Sequence, residues 1–264
     1  YEIGVRLVGS EMCIRDRLVG DVCSDMNNRL ILFDVSKKEC FMMQHGDEGR
    51  LFYSLFSLAD SLICFEMLPV QHNRYVATGL HKHNRFILLD GNGKKIGDFG
   101  EYPYRDEEER QVDGFVLGDV YQGRLAANPS CNRFVQAIYK AKILTFYEQS
   151  GEHWNLVKEI QESFPQYKYN SPAIETDTPV GYLDVCATEK YVYVLYSGKN
   201  YRDDKDAAFS GHVIEVYGWD GTLQKRYKSD VPLKVIEASK DDCSLFAIAN
   251  HPDPVLVRFS LSGE

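Results

Sequence analysis

The sequence lacks the patterns that announce most chemistries. Its seven cysteines, at 13, 23, 40, 64, 131, 186 and 243, include no CxxC pair, and no Cys/His group has zinc-ligand spacing. Most sit within apolar runs such as Leu62-Ile63-Cys64-Phe65 and read as small core residues. Lysines and arginines occur singly or in pairs, and the formal net charge is −9. A nucleic acid would meet a repelling average field with no basic stripe to offset it. There is no GxSxG and no phosphate-cradling glycine loop, so no cofactor is expected. No run of ~18 apolar residues could form a membrane-crossing helix. Helical periodicity is weak everywhere, and the best helical candidate, roughly 47–58, also fits a loop.

Aromatic residues are plentiful, with 17 Tyr and 14 Phe among 264 residues. Such side chains suit a pleated, half-buried surface. The length is enough for one large all-β domain with a core that needs no disulfide or metal. Residues 1–17 stand apart. The stretch Val8-Gly-Ser-Glu-Met-Cys-Ile-Arg-Asp-Arg17 resembles translated sequencing-adaptor DNA, so 1–17 is set aside as a non-native segment and 18–264 is taken as the domain.

One unit recurs through that domain: an apolar strand, a tight turn ending in Gly, then a more polar strand. Copies begin at Phe86, Ile143, Val213 and Val255, and Leu30-Ile-Leu-Phe-Asp34 opens a variant without the Gly. The turns carry Asn92-Gly93, Ser150-Gly151, Asp220-Gly221 and Ser262-Gly263, because hairpin turns demand a positive φ that Gly supplies. A further apolar strand precedes each unit, and a third precedes some, as in Gly181-Tyr-Leu-Asp-Val-Cys-Ala187 and Leu233-Lys-Val-Ile-Glu-Ala238. The turn glycines fall 58, 70 and 42 residues apart, which fits propeller blades with loop insertions better than a uniform solenoid. Five units are expected, at about 18–44, 62–99, 115–161, 180–230 and 231–262.

Tyr75-Val-Ala-Thr-Gly79, Asn84-Arg-Phe-Ile-Leu-Leu-Asp-Gly-Asn-Gly93, Tyr102-Pro103, Gly123-Arg-Leu-Ala-Ala-Asn-Pro129, Gly181-Tyr-Leu-Asp184, Lys190-Tyr-Val-Tyr-Val-Leu-Tyr-Ser-Gly198 and Val216-Tyr-Gly-Trp-Asp-Gly221 follow one another in that order. Together they make the chain similar to the TolB-like six-bladed propeller lipoproteins of bacterial cell envelopes. The resemblance implies an all-β, six-bladed β-propeller with about five blades in this chain and one more upstream. It also implies an exported protein, lipid-anchored in the periplasm or at the outer membrane. It implies no catalytic residues. Trp219-Asp220 could suggest WD repeats, but the Gly-His pair and even period of that family are absent.

Candidate site residues are few. His81 and His83 lie two apart and could start a metal site on a strand. With no third ligand nearby in sequence, a solvated loop is the better reading. Arg105-Asp106-Glu107-Glu108-Glu109-Arg110 and Arg202-Asp203-Asp204-Lys205-Asp206 lack the internal Gly of a calcium loop and read as solvated inter-strand loops. Tyr191, Tyr193, Tyr196 and Tyr201 crowd one unit. They would serve as a sugar or peptide platform if exposed, and as inter-blade packing if not. Innermost strands offer mainly Leu, Val, Ala and Cys, with Asp184 and Glu237 as ionisable exceptions. That composition favours a module binding a protein or glycan at one face of the disc over a hydrolase or lyase with a central-channel site.

Overall fold

The computed structural model describes residues 19–46, 49–169, 171–250 and 253–261. Apolar runs bounded by turn residues become antiparallel strands, wound out from the centre one hairpin at a time. The first unit is β1 (Val19–Ser24), β2 (Leu30–Asp34), β3 (Glu39–Gly46) and β4 (Gly49–Ser57), paired in that order. The second is β5 (Cys64–Val70), β6 (Arg74–Gly79), β7 (Phe86–Leu89) and β8 (Lys95–Phe99). After a short helix, α1 (Gly114–Val120), comes β9 (Gly123–Ala127), β10 (Arg133–Ile138), β11 (Ile143–Ser150) and β12 (His153–Gln161). A small hairpin, β13 (Tyr167–Lys168) with β14 (Ser171–Ile174), leads to the fourth unit.

The fourth and fifth units form one six-stranded sheet: β15 (Tyr182–Ala187), β16 (Tyr191–Tyr196), β17 (Gly211–Gly218), β18 (Leu223–Ala238), β19 (Ser244–Asn250) and β20 (Pro254–Ser260). A second short helix, α2 (Tyr201–Asp204), sits between β16 and β17. The boundary expected near 230 is therefore no break. Residues 223–228 of β18 close the fourth unit against β17, and residues 233–238 open the fifth against β19. The stretch 47–58, weakly helical or loop by its sequence, is strand over its residues 49–57. Its apolar residues fit strand pairing, and β4 is the outer strand of the first unit.

The second strands β6, β10 and β16 are buried on both faces, which is why they read as unbroken apolar runs, whereas β2 and β19 are half-buried on one face. In β16, Val192 and Val194 pack in the core shared with the third unit, whereas Tyr193 and Leu195 pack in the core shared with the fifth. In β6, Tyr75 and Ala77 face the first unit and Val76 faces the third. Successive inner strands β1, β5, β9, β15 and β18 touch in that order. The result is the propeller arrangement, with its cores between sheets and its innermost strands around a common axis. Cys40, Cys64 and Cys186 belong to these cores, and the six described cysteines are free thiols. Burial pushes the Cys40 and Cys64 thiols up to about 12.

The turn glycines behave as their dipeptides demand: Gly93, Gly151 and Gly221 have φ of 76°, 61° and 78°. In the variant unit without the Gly, Lys38 takes the positive φ instead, at 54°. A Cβ at residue 221 would stand 2.5 Å from Lys158 Cγ and 3.0 Å from its Cβ, so any side chain there requires Lys158 to shift. Gly221→Val should nevertheless be less stable than Gly221→Asn by about 1 kcal/mol or more, because a β-branched residue is the more strained at positive φ. Urea unfolding of the two variants measures this directly, and equal midpoints would contradict the turn. The Ser262-Gly263 turn and the segment 1–17 lie outside the described residues.

Candidate functional site

A pocket of about 450 Å3 opens along the axis, lined by residues from all five inner strands. What it presents is decided by a recurring irregularity. In β1, β5, β15 and β18 the pairing register shifts by one residue, and the residue after the shift is Asp21, Glu66, Asp184 and Val235 respectively. A bulge inserts one unpaired residue and reverses the phase of the strand. The packing of β15 shows the consequence. Tyr182 and Val185 pack in the core toward the third unit, Leu183 and Cys186 pack in the core toward the fifth, and Asp184 packs in neither. An acid is tolerated there because neither apolar face has to hold it.

β9 runs without such a shift, and at the matching register it carries Arg124. Arg124 Nη1 donates to Glu66 Oε1 at 2.6 Å, joining the second and third inner strands. On the other side, Asp184 Oδ2 accepts from the Ile236 backbone N–H at 2.7 Å, joining the fourth and fifth. Lys240, just past β18, donates to Asn28 Oδ1, linking the fifth unit to the first. The axis is thus framed by polar side chains that reach from one inner strand to the next.

Asp184 and Glu237 both line the pocket. Burial, set against the Ile236 N–H and the more distant Arg124 charge, raises the Asp184 carboxyl to about 6. Burial and the Asp184 charge raise Glu237 to about 7. Glu237 is open to a solvent-sized probe, yet it stands among protein walls that strip most of its hydration, so accessibility and desolvation coexist. In both groups the folded protein keeps a proton that the unfolded chain has lost near pH 4. The pair therefore costs nothing below that pH and destabilises progressively as pH rises toward about 7.

The other sequence candidates are not brought together here. His81 is buried and His83 exposed, so the pair does not share a surface. The solvated-loop expectation fails for His81. Burial lowers its imidazole to about 4, and Nε2 has no hydrogen-bond partner among the described residues. Among those residues no group of three or more His, Cys, Asp or Glu is placed to hold a metal ion. The run 105–110 is not simply solvated either, because Glu109 is fully buried and accepts from the Arg105 N–H and from the Tyr121 and Tyr167 hydroxyls. The run 202–206 is helical, and Arg202 pairs with Asp177 at 2.9 Å.

Tyr193 is buried and donates to Asp242 Oδ1 at 3.0 Å, and Tyr191 meets it edge-on. Tyr196 packs on Tyr182 under the Lys142 ammonium. Tyr201 is exposed on α2 beside Phe209. Three of the four are thus packing residues. Sequence inspection missed Arg124 and Glu66. The signal was a charged residue second or third in four of the five inner strands, Asp21, Glu66, Arg124 and Asp184, hidden by the bulge that breaks simple alternation.

With four-strand units arranged around one axis, a profile of the TolB-like 6-blade propeller-like family matches residues 61–241. The chain belongs to that family. No curated protein matches it. The matched residues of this TolB-like propeller span the second, third and fourth units and reach β18, so they include Glu66, Arg124, Asp184 and Glu237. A propeller of this kind is in general a binding or scaffolding module.

Proposed function

We propose that this TolB-like propeller is a binding module of the cell envelope that takes a cationic group of a protein partner, a lysine ammonium or an arginine guanidinium, into its central channel. The observation that carries this reading is the state of the acids. Arg124 is engaged by Glu66 and acts on Asp184 only as a more distant charge, so among the described residues no cation pairs directly with Asp184 or Glu237. A cation entering between them would lower both pKa values, which is the same free energy expressed as affinity.

Calorimetric titration with a short peptide bearing one lysine between alanines tests the reading. Binding is expected at pH 8, weaker by at least about tenfold at pH 5, and lost in the double variant Asp184→Asn, Glu237→Gln. Affinity independent of pH and of both substitutions would contradict it. Turnover of an ester, glycoside or phosphoester that Asp184→Ala abolishes would replace binding with hydrolysis.

A further inference from the structure

We propose that a second pocket, between the outer strands of the second and third units, binds a neutral saccharide. It encloses about 400 Å3 and is lined by the segment Gly100–Tyr104 that follows β8, by Arg110, by Tyr147 and by β12. It shares no lining residue with the axial channel.

β12 builds its wall through another bulge. Lys158 pairs with Phe146 and Leu156 with Tyr147, leaving Val157 as the extra residue. The one-residue slip brings Trp154 and Leu156 to the same side as Glu159 and Gln161, although their numbers differ in parity. An aromatic platform and a polar edge thereby meet on one strand. The platform is held in place beforehand. The Trp154 ring lies parallel to Phe99, with centroids 6.2 Å apart and 12° between planes, and meets Phe134 edge-on at 5.0 Å. It remains partly exposed, with the 53% exposed Leu156 two residues along.

The polar edge is equally ordered. Glu159 accepts from Gln161 Nε2 at 2.5 Å and from Thr145 Oγ1 at 3.3 Å, and Arg85 Nη1 lies 3.5 Å away. Arg110 stands 4.6 Å over the Tyr104 ring and 3.5 Å from Glu101. Tyr102 is 4% exposed and lines the pocket, and its hydroxyl has no partner among the described residues. A buried phenol without a partner retains an unused donor.

These groups select a ligand class. Glu101 and Glu159 are balanced by Arg110 and Arg85, so the pocket favours neither anion nor cation. A pyranose offers an apolar C–H face to an indole ring and, at its edge, hydroxyls that donate to carboxylates and accept from guanidinium or phenol. A proline-rich peptide would use the Trp and Tyr rings but leave the charged edge without donors. Trp154, Tyr102, Glu159 and Arg110 together fit a sugar.

The test uses the full chain and three neutral disaccharides: cellobiose, maltose and the N-acetylglucosamine dimer. Trp154 fluorescence and backbone amide shifts should respond saturably to at least one. The second tryptophan, Trp219, is buried and bonded to the Thr188 carbonyl, so it should stay silent. Trp154→Ala should weaken binding by about tenfold or more. Tyr102→Phe, which keeps the ring and removes only the hydroxyl, should weaken it less, and Asp184→Asn should leave it unchanged. No saturable response to any of the three would overturn the proposal. So would binding unaffected by both Trp154→Ala and Tyr102→Phe, or a response confined to a proline-rich peptide.

Discussion

Glu215→Ala should lower the unfolding free energy by about 3 kcal/mol, the range found when one partner of a buried ion pair is removed. Glu215 is 1% exposed in the middle of β17. Its Oε1 accepts from Arg226 Nη2 at 2.6 Å, from Arg226 Nε at 3.1 Å and from Lys142 Nζ at 3.1 Å. Its Oε2 accepts from the Tyr217 hydroxyl at 2.9 Å and the Tyr182 hydroxyl at 3.3 Å. Lys142 comes from the turn between β10 and β11 of the third unit, so the carboxylate ties that unit to the fourth. Truncation would strand two buried phenols and a largely buried ammonium.

Burial works to raise the Glu215 carboxyl, but the bonds from Arg226, Tyr217 and Lys142 outweigh it and hold the group below its ordinary value. Because the folded value lies below the unfolded one, the stabilisation is present above about pH 4.5 and is lost as pH falls through the folded value. Arg226→Ala, at a side chain 55% exposed, should cost less than about 1 kcal/mol. Urea unfolding at neutral pH separates the two. Equal and small effects would mean the network contributes nothing.

Glu109→Ala should cost about 2 to 3 kcal/mol, with the loss concentrated between residues 100 and 121. The Glu109 carboxylate accepts from the Arg105 N–H at 2.6 Å, the Tyr121 hydroxyl at 2.8 Å and the Tyr167 hydroxyl at 2.7 Å. It anchors the segment between β8 and α1 to the hairpin β13–β14. Removing it leaves the Tyr167 hydroxyl without its acceptor and the Tyr121 hydroxyl with only the Pro103 carbonyl at 3.2 Å, and it frees the wall that carries Tyr102, Tyr104 and Arg110. Hydrogen exchange should show faster amides in that segment and unchanged protection in β15 and β16. Uniform acceleration through all units would mean the anchor is global rather than local.

The two networks also mark where sequence legibility ended. The five units, their turns and the all-β class were legible because Gly at a positive φ and apolar strands buried on both faces leave local marks. Asn92-Gly93 and Tyr191-Val-Tyr-Val-Leu-Tyr196 are such marks. Burial of single polar groups leaves none. Glu109 sits in a run of five charged neighbours and only the fold reveals that one of the six is inside. The stretch 49–57 misled in the opposite way, since its apolar residues satisfy either periodicity until β3 offers a pairing edge. Asp184 and Glu237 were visible as exceptions on apolar strands, but Arg124 and Glu66 required knowing that β9 lacks the bulge its neighbours share.

Carbon-detected NMR titration of the Asp184 and Glu237 side-chain carboxyls tests the channel pair most directly. As a coupled pair they should titrate in two steps near the values of about 6 and about 7. Both steps should move to lower pH when the single-lysine peptide is added. Two ordinary carboxyl titrations near pH 4, unmoved by the peptide, would contradict both the geometry of the channel and the function drawn from it.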